Sequence, residues 1–124
     1  MKIRIPTTNF DSLRKQIRDK AENEEWPTWS VVKVKQKDGT SVRRLVHTPS
    51  GDDQYKDIQL RFCNPSDEEL KEGKFFLDII PAKASNSKLS DEDVLNKSAI
   101  VLGRFSEILN RYFSSLKGYN VILK

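Results

Sequence analysis

The chain has 124 residues, 36% hydrophobic and 32% charged, with five Gly and five Pro, proportions that exclude collagen-like, low-complexity and globally disordered classes. A single cysteine, Cys63, excludes an internal disulfide and a multi-cysteine zinc site, and no apolar run approaches the roughly 18 residues needed to cross a bilayer. The net charge of +4 is uneven, +1 over residues 1–27, +4 over 28–48, −4 over 49–100 and +3 over 101–124, which points to a polar binding surface or to internal charge pairing.

A chain of this length buries roughly two-thirds of its unfolded surface, so one domain spanning 1–124 is expected. The opening MKIRIPTTNF has no signal-peptide apolar region, and a cytoplasmic site is the expectation. Lys2 to Ile5 alternates polar and apolar before Pro6, which predicts a short edge strand. Phe10, Leu13, Ile17 and Ala21 then recur at helical spacing, predicting a helix over about 9–23 capped by Thr8 or Asn9. Its remaining positions mix both signs of charge, the pattern of a solvated face.

The stretch WPTWSVVKVKQKDGTSVRRLVHT, residues 26–48, carries the clearest turn signal in the chain. Two runs rich in Val flank Asp38-Gly39, a dipeptide suited to a two-residue type I′ turn. Pairing outward from that turn sets Lys37 against Thr40, Lys35 against Val42, Lys33 against Arg44 and Val31 against Val46. One face is then expected to carry Lys33, Lys35, Lys37 and Arg44 beside Trp29, Val31, Val42 and Val46. The other is expected to carry Val32, Val34, Leu45, Arg43 and His47.

Residues 49–53 are dense in turn formers and read as an exposed loop. Residues 56–63 alternate again, with Ile58, Leu60 and Phe62 in phase. Asn64-Pro65-Ser66 followed by Asp67, Glu68 and Glu69 predicts a short helix that Gly73 can end. The run KFFLDIIPAK, 74–83, reads as a strand covered on both sides. Ser90 with Asp93 three residues on opens the longest helix, whose stripe of Val94, Val101 or Leu102, Phe105, Ile108 or Leu109, Tyr112 and Leu116 reaches Gly118. Unbroken over 90–117 it would measure about 42 Å, long for such a domain, so a bend near 96–103 or a projecting first turn is expected. Residues 120–123 are placed to pair with the N-terminal strand.

The fold class that follows is α+β, an antiparallel β-meander of 4–5 strands with an N-terminal helix and a long C-terminal amphipathic helix packed on the sheet. The order of antiparallel strands followed by one long amphipathic helix is similar to the repeats of the PUR and Whirly single-stranded nucleic-acid-binding families. That likeness is of element order alone; the helix before the hairpin departs from it and no residue is carried over.

Catalytic groups are sparse. His47 is the one histidine, and with no local signature tying it to Cys63 it reads as structural. Asp52, Asp53 and Asp57 with Glu69 and Lys71 only caricature a metal-dependent nuclease, since the last two fall in a helical turn. Asp78, between Leu77 and Ile79, reads as an outward residue on a half-exposed face or as the partner of a helix Lys or Arg. The five glycines are isolated, so no phosphate-cradling loop is present. The expectation is a non-catalytic protein with no cofactor and no metal.

Two binding surfaces remain. Nucleic acid calls for cations against phosphates and aromatic rings against bases, which the hairpin offers as Lys33, Lys35, Lys37, Arg44, Arg43 and Trp29, extended by Lys56 or Arg61. The alternative is a protein-interaction module, an inhibitor, immunity protein or chaperone-like domain, using the acidic 52–72 segment through Asp52, Asp53, Asp57, Glu68 and Glu69. The same hairpin residues also suit an edge that lysines protect from aggregation, and Trp26 and Trp29 suit buried anchors. The C-terminal helix stripe is a third surface, for a homodimer.

Overall fold

The alternating and helical patterns resolve, in a computed structural model describing residues 1–23, 25–49, 54–113 and 120–122, into nine elements. They are β1 (Lys2–Pro6), α1 (Phe10–Glu22), β2 (Trp29–Lys35), β3 (Ser41–His47), β4 (Ile58–Cys63), α2 (Asp67–Lys71), β5 (Phe76–Lys83), α3 (Asp91–Tyr112) and β6 (Asn120–Ile122). The sheet order is β2-β3-β4-β5-β1-β6, so a four-strand antiparallel meander is extended by the first and last strands. β1 is therefore an interior strand and not the expected edge. It pairs with β5 through Ile3↔Ile79 and Ile5↔Leu77, and with β6 through Lys2↔Ile122.

One face of the sheet is covered by α1 and α3. Leu13, Ile17 and Ala21 of α1 and Val101, Leu102, Phe105 and Leu109 of α3 join Ile3, Ile5, Leu45, Ile58, Leu60, Leu77 and Ile79 in one buried cluster. At roughly 1.5–3 kcal/mol for each large apolar side chain fully buried, that cluster is the main cohesive element. Trp26 closes its end, meeting Phe105 and Phe113 edge-on, both at 6.2 Å.

The helix starts follow their caps. Ser66 and Glu69 form a reciprocal capping box on α2, and Ser90 accepts from the Asp93 amide at 3.2 Å on α3. α1 differs: Asn9 occupies the cap position without a side-chain bond, and Thr7 Oγ1 instead accepts from the Asn9 amide at 3.1 Å. α3 ends at Tyr112, its 22 residues spanning about 33 Å at 1.5 Å each; the expected continuation over 114–117 lies outside the described residues. In its first turns Leu95 faces outward and is exposed, while Val94 is half-buried against the core. Among the described residues no helix is long and apolar enough to cross a membrane.

The hairpin loop is one residue longer than the Asp38-Gly39 signal suggests. The Gln36 amide donates to Thr40 O at 2.8 Å and the Gly39 amide to Gln36 O at 3.0 Å, leaving three loop residues, 37–39, with Gly39 at φ 88°. The Asp38 carboxylate accepts from the Thr40 amide at 2.9 Å and from its hydroxyl at 2.6 Å, a local arrangement that fixes this loop instead of a type I′ turn. The added residue moves the whole ladder: Lys33 faces Arg43, Val32 faces Arg44, Val31 faces Leu45 and Trp29 faces His47. Because side chains alternate with a period of two, that single step separates residues expected to share a face.

Candidate functional site

The register distributes the hairpin cations over both faces of a ribbon. Trp29, Val31, Lys33, Lys35, Ser41, Arg43, Leu45 and His47 share the helix-covered side, while Val32, Val34, Val42, Arg44 and Val46 share the open side. Arg44 thus lies opposite to Lys33 and Lys35, correcting the single basic face expected from the sequence. The ribbon also stands partly free. β2 and β3 pair over seven residues each, whereas the β3–β4 pairing is at Leu45↔Leu60, nearer the β3 end remote from the loop.

Lys33, Lys35 and Lys37 are exposed and have no ion-pair partner among the described residues. Arg43 is different, its guanidinium bonding Glu22 at the end of α1 at 3.0 Å. Arg44 donates to Gln59 Oε1 at 3.0 Å, and its pKa is lowered by burial and then by the nearby Arg61 charge, against an opposing effect of Cys63. On the same open side Lys2 and Arg4 are neutralised by Asp78, with Arg4 making a two-pronged contact at 2.8 and 2.9 Å and Lys2 bonding at 3.3 Å. Asp78 is buried, and its cations come from the neighbouring strand β1 and not from a helix as expected, because β1 inserts beside β5 with Arg4 directly across from Asp78. Arg4 also lies 3.7 Å from the centre of the Phe76 ring.

Trp29 is not a platform for bases. It is 3% exposed, 5.2 Å edge-on from Phe105 and 4.5 Å from the His47 ring, so of the two readings of this tryptophan the buried anchor holds. His47 is buried between Trp29 and Tyr55, whose ring centre is 5.4 Å away, with Nδ1 3.0 Å from Thr28 O. Burial lowers its pKa, opposed by the Thr28 bond and assisted by Arg104. Its Nε2 is buried with no hydrogen-bond partner among the described residues. A cleft of about 500 Å³ beside these rings is bordered by Thr28, Arg104, Glu107 and Arg111.

The acidic residues named from the sequence are not gathered. Asp52 and Asp53 lie outside the described residues. Asp57 precedes β4 and Glu68 and Glu69 follow it, so about 20 Å of strand separates them. Glu69 is engaged in its capping box, its carboxyl held below the ordinary value first by the Ser66 amide. Among the described residues no group of three His, Cys, Asp or Glu side chains is arranged to hold a metal ion. On α3 the outward apolar side chains Leu95 and Ile100 are exposed, and isolated surface residues of this kind are ordinary.

Sequence reasoning did not find the Glu22 partner of Arg43, because nothing local links residues 21 apart on different elements. It did place Arg61 outward on its strand by alternation, but the opposition of Arg61 to Arg44 follows from the Leu45↔Leu60 pairing alone. No protein-family model, no curated protein and no solved structure matches this chain.

Proposed function

We propose that this chain is a non-catalytic nucleic-acid-binding protein that uses the β2–β3 ribbon against phosphates. The observation that carries this reading is the exposed Lys33 and Lys35 of β2 with Lys37 in the adjoining loop, free of acidic partners among the described residues, with Arg44 and Arg61 on the reverse of the same ribbon and its neighbour β4. A two-stranded antiparallel ribbon fits the major groove of duplex DNA, where phosphate walls flank it on both sides. Cations on both faces of a ribbon suit that position better than a flat surface. The buried Trp26 and Trp29 withdraw the stacking rings that recognition of single strands uses, so duplex is favoured over single strand.

The protein-interaction reading has less support, since Asp57 and Glu68 stand at opposite ends of β4. Binding of a short duplex and of the matching single strand, measured over a salt series, tests the proposal. The expected result is tighter duplex binding whose affinity falls steeply with salt, with the slope shallower by about one for each lysine changed to Gln among Lys33, Lys35 and Lys37. Absence of binding at low salt, or a slope unchanged in the triple variant, overturns it.

A further inference from the structure

We propose that the gap between β3 and β4 on the open face of the sheet is a binding site for one phosphate group, held by Arg44 and Arg61. The inference shares Arg44 and Arg61 with the ribbon reading but rests on their charge and register, and inorganic phosphate tests it without duplex.

Extending the Leu45↔Leu60 pairing by one residue puts Arg61 directly across from Arg44, both on the side away from the helices. Like charges directly opposite on neighbouring strands destabilise a sheet. Such a pair is ordinarily relieved by an acid on the same face. The buried acid on this face, Asp78, is already bonded by Arg4 and Lys2, and no other carboxylate among the described residues reaches Arg44 or Arg61. What Arg44 does find is a neutral acceptor, Gln59 Oε1, which orients the guanidinium without cancelling its charge.

The two arginines border a concavity of about 180 Å³ with Gln36, Val42 and Cys63. That volume is below the roughly 300–1,000 Å³ of sites that enclose a drug-sized molecule, and corresponds to about six waters at ~30 Å³ each. It suits a single tetrahedral oxyanion with the remainder of its molecule outside. Guanidinium groups bind phosphate through paired, charge-assisted hydrogen bonds, and two of them supply enough donors for three phosphate oxygens. Filling the gap would convert the repulsive pair into a clamp joining β3 to β4 where their ladder is short.

The phosphate has two sources, a nucleic-acid backbone or a small phosphorylated molecule, and one experiment separates them. The melting temperature of the wild-type chain and of Arg61→Gln is measured in inorganic phosphate and in chloride at equal ionic strength, with ³¹P line broadening as a direct readout of binding. Arg61 is exposed, so its replacement leaves the core untouched. The expected result is a phosphate-specific rise in the wild type, a phosphate affinity about tenfold or more weaker in Arg61→Gln, partial retention in Arg61→Lys, and an equal or higher melting temperature for Arg61→Gln in chloride. A salt slope for duplex binding lowered in Arg61→Gln would assign the site to backbone phosphate, and an unchanged slope to a small phosphorylated molecule. No difference between phosphate and chloride in the wild type, or the same difference in Arg61→Gln, overturns the proposal whatever the duplex result.

Discussion

Lys33 stands across the β2–β3 ladder from Arg43, and Arg43 is tied at 3.0 Å to Glu22 at the end of α1. One cation of this face is thus engaged with an acid, while its neighbour is free for an incoming anion. Any phosphate that approaches Arg43 competes with Glu22.

Replacing Glu22 with Gln should therefore strengthen duplex binding, by about twofold to fivefold at low salt, while changing stability by less than about 1 kcal/mol, because both partners are partly exposed. Oligonucleotide titration and urea unfolding of the same preparation check both. A weaker complex would mean that Glu22 positions Arg43 for binding and does not compete with the ligand.

Asp78→Asn should lower stability by about 2 kcal/mol, since it leaves two cations facing a buried amide. The cost is smaller than for a fully buried pair because water screens Lys2 and Arg4, whose side chains are each about 30% exposed. In urea the midpoint should fall with an unchanged slope, and adding Arg4→Gln should recover part of the loss.

His47 predicts acid sensitivity. Its burial holds the pKa below the ordinary 6.5, so the unfolded chain takes up a proton at higher pH than the folded one. The stability this neutral side chain supports is present above about pH 6.5 and is lost as pH falls from there through the lower folded value. The melting temperature should drop from pH 7.5 to 5.5, and in His47→Gln that drop should flatten, because the chain has one histidine.

Gly39 sits at φ 88° with nothing within 4 Å of an added Cβ, so Ala there costs backbone strain alone. Gly39→Ala should destabilise by about 1–2 kcal/mol, and Gly39→Asn by less, as Asn tolerates left-handed backbone. Urea midpoints check the order Gly, Asn, Ala.

The element types were legible because each has a local cause. Leu13, Ile17 and Ala21 recur at helical spacing, Ile58 and Leu60 alternate, and Ser90 announces a helix start. The hairpin was legible as a hairpin, but its register depended on Asp38 bonding Thr40, a side-chain choice between two loops compatible with the same dipeptide. That one residue relocated Arg44 to the reverse face. The interior place of β1 was only half legible. Its pairing with residues 120–122 was expected, whereas its insertion beside β5 depends on long-range packing of Ile3 on Ile79.

That insertion orders events in time. β1 precedes all of its partners in the chain, so Ile3 meets Ile79 only after β2, β3 and β4 have been made, and Lys2 meets Ile122 only after α3 as well. Its partners are distant in sequence, and closing such long loops slows folding relative to a local meander. During synthesis the β2–β3 ribbon can close on itself while Ile3 and Ile5 wait unpaired, the interval in which an uncovered strand is open to pairing with another chain.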